Sequence, residues 1–118
     1  MRKILLVDDD PLFREAVCAM LHDFEITQAP EGAAALRAFR RNPDAIVLCD
    51  IFMEGIEGLE TIRDLRQANP AAKIIGMSAE GTRTGIDVLE FASQSGADLT
   101  LRKPFNQAQL LDAITKIM

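Results

Sequence analysis

The sequence predicts an α/β protein built on a doubly wound parallel sheet, and three observations carry that prediction. Apolar runs such as Ile4-Leu5-Leu6-Val7 and Ala45-Ile46-Val47-Leu48-Cys49 have the length and the unbroken hydrophobicity of strands buried on both faces. Segments of helical period alternate with the strand-like ones. Carboxylates close both runs, Asp8, Asp9 and Asp10 after the first and Asp50 after the second. In an open α/β sheet, ligands bind in the crevice beyond the carboxyl ends of the strands.

The elements follow in order. Asp10-Pro11 reads as an N-cap with proline at the first helical position, and Leu12, Phe13, Ala16, Val17, Met20 and Leu21 recur with helical period as the buried side. Residues 24–29 alternate apolar and polar as a short second strand, and Pro30-Glu31-Gly32 opens a helix through about Arg41. Asn42-Pro43 is a turn before the third strand, which ends at Asp50. A loop with Gly55 precedes a helix from about Ile56 to Ala68, stopped by Asn69-Pro70. Residues 73–77 form the fourth strand, and a loop over 78–84 leads to a fourth helix ending at Ser95-Gly96. Residues 98–101 make a short fifth strand. The last helix runs from about Asn106, with Leu110, Leu111, Ile114 and Ile117 inward.

Five strands alternating with five helices imply right-handed crossovers and helices on both faces of one sheet. The strand order expected is 2-1-3-4-5, the flavodoxin-like one, which sets the first strand beside the third at the switch point. Asp8, Asp9 and Asp50 then face one pocket, and the ends of the fourth and fifth strands bring Ser78 and Lys103 to its rim. Like charges so close cost on the order of several kcal/mol unless a cation or protons offset them. Oxygen-only ligands with room for water select Mg²⁺, or Mn²⁺.

Bulk composition narrows the function. A chain of 118 residues with 48% hydrophobic content suits one domain over residues 1–118. Its net charge of -5 offers no basic stripe for a phosphate backbone, so no direct nucleic-acid partner is expected. No apolar stretch approaches the roughly 18 residues of a spanning helix, and a cytoplasmic protein without a membrane partner is expected. Cys18 and Cys49 lack ligand spacing and read as core residues, and His22 reads as a helix-end surface residue.

Four fragments in order resemble the receiver domain of two-component response regulators, the family that includes the single-domain chemotaxis regulator. They are residues 4–11 (ILLVDDDP), 46–58 (IVLCDIFMEGIEG), 74–79 (IIGMSA) and 96–105 (GADLTLRKPF). The resemblance covers essentially the whole chain. It implies that Asp50 accepts a phosphoryl group from a histidine kinase or histidine phosphotransfer protein. It also implies that Asp9 holds Mg²⁺ directly, Asp8 directly or through water, and the Phe52 backbone carbonyl as a further ligand. Lys103 would offer a fixed cation to the phosphoryl oxygens, with Pro104 making a cis bond that aims it inward. Ser78 would donate to the phosphoryl oxygen only when its loop moves in. A charge-assisted hydrogen bond of about 1.5–3 kcal/mol would shift a two-state equilibrium roughly 10- to 150-fold, leaving the rest to partner binding. By the same resemblance, the face made by the fourth helix, fifth strand and fifth helix controls an output domain or downstream protein. The protein would be a monomer or a phosphorylation-dependent dimer, and not an enzyme beyond self-phosphorylation and autodephosphorylation.

Several residues depart from the family pattern. Thr100 stands where many receivers carry an inward-turning aromatic, so repacking of backbone or loop is expected to carry the signal. Glu54 replaces a frequent proline and adds an anion near the metal. Gly81 and Gly85 would loosen the start of the fourth helix. Phe52 and Glu80 occupy positions that would gate water, and the Phe52 ring is expected to lengthen the phosphorylated lifetime. Two alternatives stay open. One is a haloacid-dehalogenase-like phosphatase with Asp8 as nucleophile and Asp10 as acid/base, and the other is a scaffold module of the same fold that never carries phosphate.

Overall fold

The computed structural model describes residues 2–53, 57–78 and 96–118. Its five strands are β1 (Lys3–Val7), β2 (Glu25–Ala29), β3 (Ile46–Asp50), β4 (Lys73–Ser78) and β5 (Leu99–Arg102). They form one parallel sheet in the order β2-β1-β3-β4-β5. Four helices lie among the described residues: α1 (Pro11–Met20), α2 (Gly32–Arg41), α3 (Glu57–Ala68) and α4 (Gln107–Ile117). The helix expected after residue 84 lies outside the described residues, as do Glu54, Gly55, Glu80, Gly81 and Gly85.

Two cores follow from the two-residue period of the strands. Leu5, Val7, Val47, Cys49 and Ile74 point to one face, against Ala35 and Phe39 of α2 and Ile62 and Leu65 of α3. Ile4, Leu6, Ile46, Leu48, Ile75 and Met77 point to the other, against Val17 of α1 and Leu110, Ala113 and Ile114 of α4. The central strands are therefore apolar on both faces along their interiors, with Lys3, Asp50, Lys73 and Ser78 at their ends. β2, at the sheet edge, buries only Ala29 fully.

The burial of α1 differs from the expected stripe. Leu12 is 75% exposed and Ala16 is exposed, while Val17 and Leu21 are buried with Phe13, Cys18 and Met20 partly covered. Each residue turns a helix by about 100°, so Leu12 and Ala16 form the row beside the one that meets the sheet. Helix ends are set locally. Asp10 accepts from the amides of Leu12 and Phe13 at 3.0 and 3.3 Å, and Asn106 forms a capping box with Gln109 at the start of α4. The amide of Gly32, at the start of α2, donates to Glu57 Oε1 of α3 at 2.8 Å.

Arg66, near the end of α3, ties the opposite end of the sheet. Its guanidinium donates to the carbonyls of Pro70, Ala72 and Gly96 and pairs with Asp98 at 2.8 Å. Asp98 in turn accepts from the amide of Ile74 at 2.8 Å, which joins the entries to β4 and β5. Cys49 is buried and Cys18 half-buried, both as free thiols, and the His22 side chain is exposed beside Asp23. No helix among the described residues is long and apolar enough to cross a membrane.

Candidate functional site

Register brings the acidic residues together. Val7 pairs with Cys49, so the next residues, Asp8 and Asp50, stand side by side at the switch point between β1 and β3. Because Val7 and Cys49 face α2 and α3, the strand period turns Asp8 and Asp50 to the side of α1 and α4. Asp9 follows in the loop, exposed. One carboxylate oxygen from each of Asp8, Asp9 and Asp50 lies within 4.8 Å of the others. Asp8 is 1% and Asp50 5% exposed.

Lys103, just past β5, supplies the cation. Its Nζ is 2.9 Å from Asp8 Oδ2 and 3.5 Å from Asp50 Oδ1. Its backbone N–H donates to the carbonyl of Ser78 at 2.8 Å, which carries the sheet pairing one step past Ser78 and Arg102. The Lys103-Pro104 bond is cis. The Phe13 ring lies 3.9 Å from the ammonium, centroid to nitrogen, and Phe13 meets Phe105 edge to face at 5.8 Å. For an ammonium this shielded from water the ring contact is worth about 1–2 kcal/mol.

Backbone amides complete the electrostatics. Asp50 Oδ1 accepts from the amide of Phe52 at 3.3 Å, and Asp8 Oδ1 accepts from the amide of Asp10 at 2.9 Å. Arg14 donates to the carbonyl of Asp8 at 2.6 Å and to the Gln28 side chain at 3.0 Å, which anchors the end of β1. Burial pushes the Asp50 carboxyl up to about 6; Lys103 pulls it down, Asp8 adds to the rise, and the Phe52 amide opposes it. Burial also pushes the neighbouring Cys49 thiol well up, which makes it inert at neutral pH.

The carboxylates fit a hard divalent cation. Their donors are oxygen only, they converge, and the single ammonium leaves them with excess negative charge. Asp8, Asp9, Asp50 and Lys103 are thus brought to one place, with Ser78 buried at the adjacent end of β4. Phe52, whose amide donates to Asp50, borders the group and is 36% exposed. Asp10 stands apart from them as a helix cap. Sequence reasoning read Phe13 only as core and did not single out Arg14. The arginine lies one turn beyond its cap, a local signal that was available, whereas Phe13 meets a lysine far along the chain and carries no such signal.

Comparison with known proteins identifies the family and the fold. The family model of the response regulator receiver domain matches residues 4–115. The transcriptional regulatory protein CseB of Streptomyces avermitilis is 33% identical over 98% of this chain and 48% of its own length. The chemotaxis protein CheY of Bacillus subtilis is 30% identical over 98% of this chain and 97% of its own. The chain therefore spans about half of the CseB relatives and nearly all of CheY. The chemotaxis protein CheY4 of Vibrio cholerae superposes with a TM-score of 0.87 at 26% identity, over 100% of this chain and 99% of that one. Because that family model matches nearly the whole chain and a relative spanned over almost its full length is 30% identical, this chain belongs to the receiver domain family of two-component response regulators.

Proposed function

We propose that residues 1–118 act as a phosphorylation-activated switch in which Asp50 accepts a phosphoryl group from a histidine kinase or histidine phosphotransfer protein. The observation that carries this reading is Lys103 Nζ seated between Asp8 and Asp50 while Asp9 completes a converging carboxylate cluster. Asp8, Asp9, Asp50 and the Phe52 backbone carbonyl would hold Mg²⁺, or Mn²⁺. Bound there, the metal would supply charge neutralisation where two polyanions meet.

The chain's own residues do the rest. An Asp50 carboxylate oxygen forms the new O–P bond as the P–N bond of the donor breaks, and the bonding pair leaves with the imidazole nitrogen. The carboxylate is ionised at neutral pH, so it needs no separate base. Lys103 meets the charge of the transferred group with an ammonium already in place. Ser78 donates to the phosphoryl oxygen once its loop closes, a contact made in one state only. Autodephosphorylation by water reverses the modification, and the Phe52 ring at the rim restricts that water. β5, α4 and the helix expected after residue 84 form the surface through which an output domain or downstream protein, and in the dimeric case a second copy, reads the change. Thr100 gives this surface no aromatic to turn inward, so backbone and loop repacking carry the signal.

The capping bonds of Asp10 argue against a phosphatase that would use it as acid/base. Incubation with Mg²⁺ and a small acyl phosphate, followed by intact-mass and peptide mass spectrometry, should place one phosphoryl group on Asp50 in the wild type and none in Asp50→Asn. Phosphate mapped to Asp8 would favour the phosphatase reading. No modification at all would leave the scaffold reading.

A further inference from the structure

Lys103 is enclosed by two kinds of wall. On the sheet side its ammonium meets Asp8 and Asp50 at 2.9 and 3.5 Å. On the helix side it meets the face of Phe13, 3.9 Å from the ring centroid. The Phe13 ring is itself set nearly perpendicular to Phe105, at 87° with centroids 5.8 Å apart. Phe105 lies two residues after Lys103, so the segment that carries the lysine also carries the ring that orients its aromatic wall. The lysine side chain is left 15% exposed. An aliphatic side chain in place of Phe13 would exclude water comparably, but only an aromatic face attracts the charge through its quadrupole.

We propose that Phe13 is a positioning residue for Lys103. Its ring face holds the ammonium over the crevice between Asp8 and Asp50, and Phe105 keeps the ring in that pose. This rests on Asp50 being the phosphoryl acceptor. A lysine is a point charge on a flexible four-carbon stem, and every conformer that carries the ammonium elsewhere lowers the fraction of molecules ready for transfer. The ring also suits a cation that must change partners. A π face imposes no hydrogen-bond direction, so the ammonium can pass from carboxylate oxygens to phosphoryl oxygens without leaving it. Two carboxylates alone would hold it in the sheet-side position.

Phe13→Leu keeps an apolar residue and removes the π face, whereas Phe13→Tyr keeps both. Two readouts separate the proposal from a structural role: the rate of Asp50 phosphorylation by a small acyl phosphate with Mg²⁺, and the rate of Lys103 acetylation by acetic anhydride without any phosphoryl donor. Phe13→Leu should phosphorylate roughly three- to tenfold more slowly, with Mg²⁺ affinity by calorimetry unchanged and Lys103 acetylated severalfold faster. Phe13→Tyr should stay within about twofold of wild type on both readouts. Wild-type acetylation kinetics in Phe13→Leu, or equal losses in the Leu and Tyr variants, would overturn the proposal. Should Phe13→Leu not fold, Phe105→Leu, which frees the ring without removing it, should give a smaller change in the same direction, and no change would count against the proposal. Failure of the acceptor reading would appear instead as an unmodified Asp50 in wild type. The acetylation comparison would then still decide whether Phe13 places Lys103.

Discussion

Asp8 and Asp50 share one ammonium in a crevice that excludes most water, and the burden falls on Asp50. Its carboxyl is raised from 3.8 to about 6 in the fold. A raised folded value means that the native state takes up the proton before the unfolded chain does. Asp50 therefore favours folding most below about pH 4, and this contribution is lost as pH rises through about 6. Without divalent cations, Asp50→Asn should be more stable than wild type at pH 7.5 by up to about 3 kcal/mol. The gap should narrow toward pH 4, as urea melts at several pH values would read. Equal stabilities at pH 7.5 would mean that Lys103 already neutralises the site. The carboxylates were legible in the sequence because strand ends mark them. The sharing of one lysine between two of them was not, since it depends on a side-chain path set by residues from β1, β3 and α1.

Element boundaries here are local chemistry. Asp10-Pro11 starts α1, and Asn106 with Gln109 starts α4, each by side chains within a few residues of the amides they satisfy. Such signals survive in the sequence, which is why expected and observed boundaries agree closely. Gly58 obeys another rule. A Cβ there would lie 2.2 Å from the carbonyl oxygens of both Asp50 and Ile51, so the first turn of α3 sits directly on the end of β3. Gly58→Ala must push the helix off that strand end. It should cost about 1–3 kcal/mol and slow phosphorylation of Asp50 well beyond what that loss of folded fraction explains, as denaturant melts and labelling rates measured side by side would show. Arg66 likewise acts between elements, linking α3 to the entries of β4 and β5. Its helical position marks it only as a basic residue in the last turn, a common surface feature.

At the scale of the whole molecule, the strand order creates the site. Residues from three distant segments meet because β1 lies between β2 and β3 and because β5 ends beside β4. A cation held by this convergence binds the folded state only, so Mg²⁺ at about ten times its dissociation constant should stabilise the wild type by about 1.4 kcal/mol, a rise of a few degrees in Tm. The shift should vanish in Asp9→Asn, as calorimetry would test; a shift retained there would remove Asp9 from the ligand set. By itself the sequence determined the α/β class, the order of the described strands and helices, the Asp10 cap and the acidic strand ends, because apolar period and capping are properties of neighbouring residues. The tertiary structure alone decided which row of α1 meets the sheet, that Lys103 lies between Asp8 and Asp50, and that Phe13 covers its ammonium. Those contacts join residues from separate segments, and only the packing of α1 and the segment after β5 over the sheet brings them within reach.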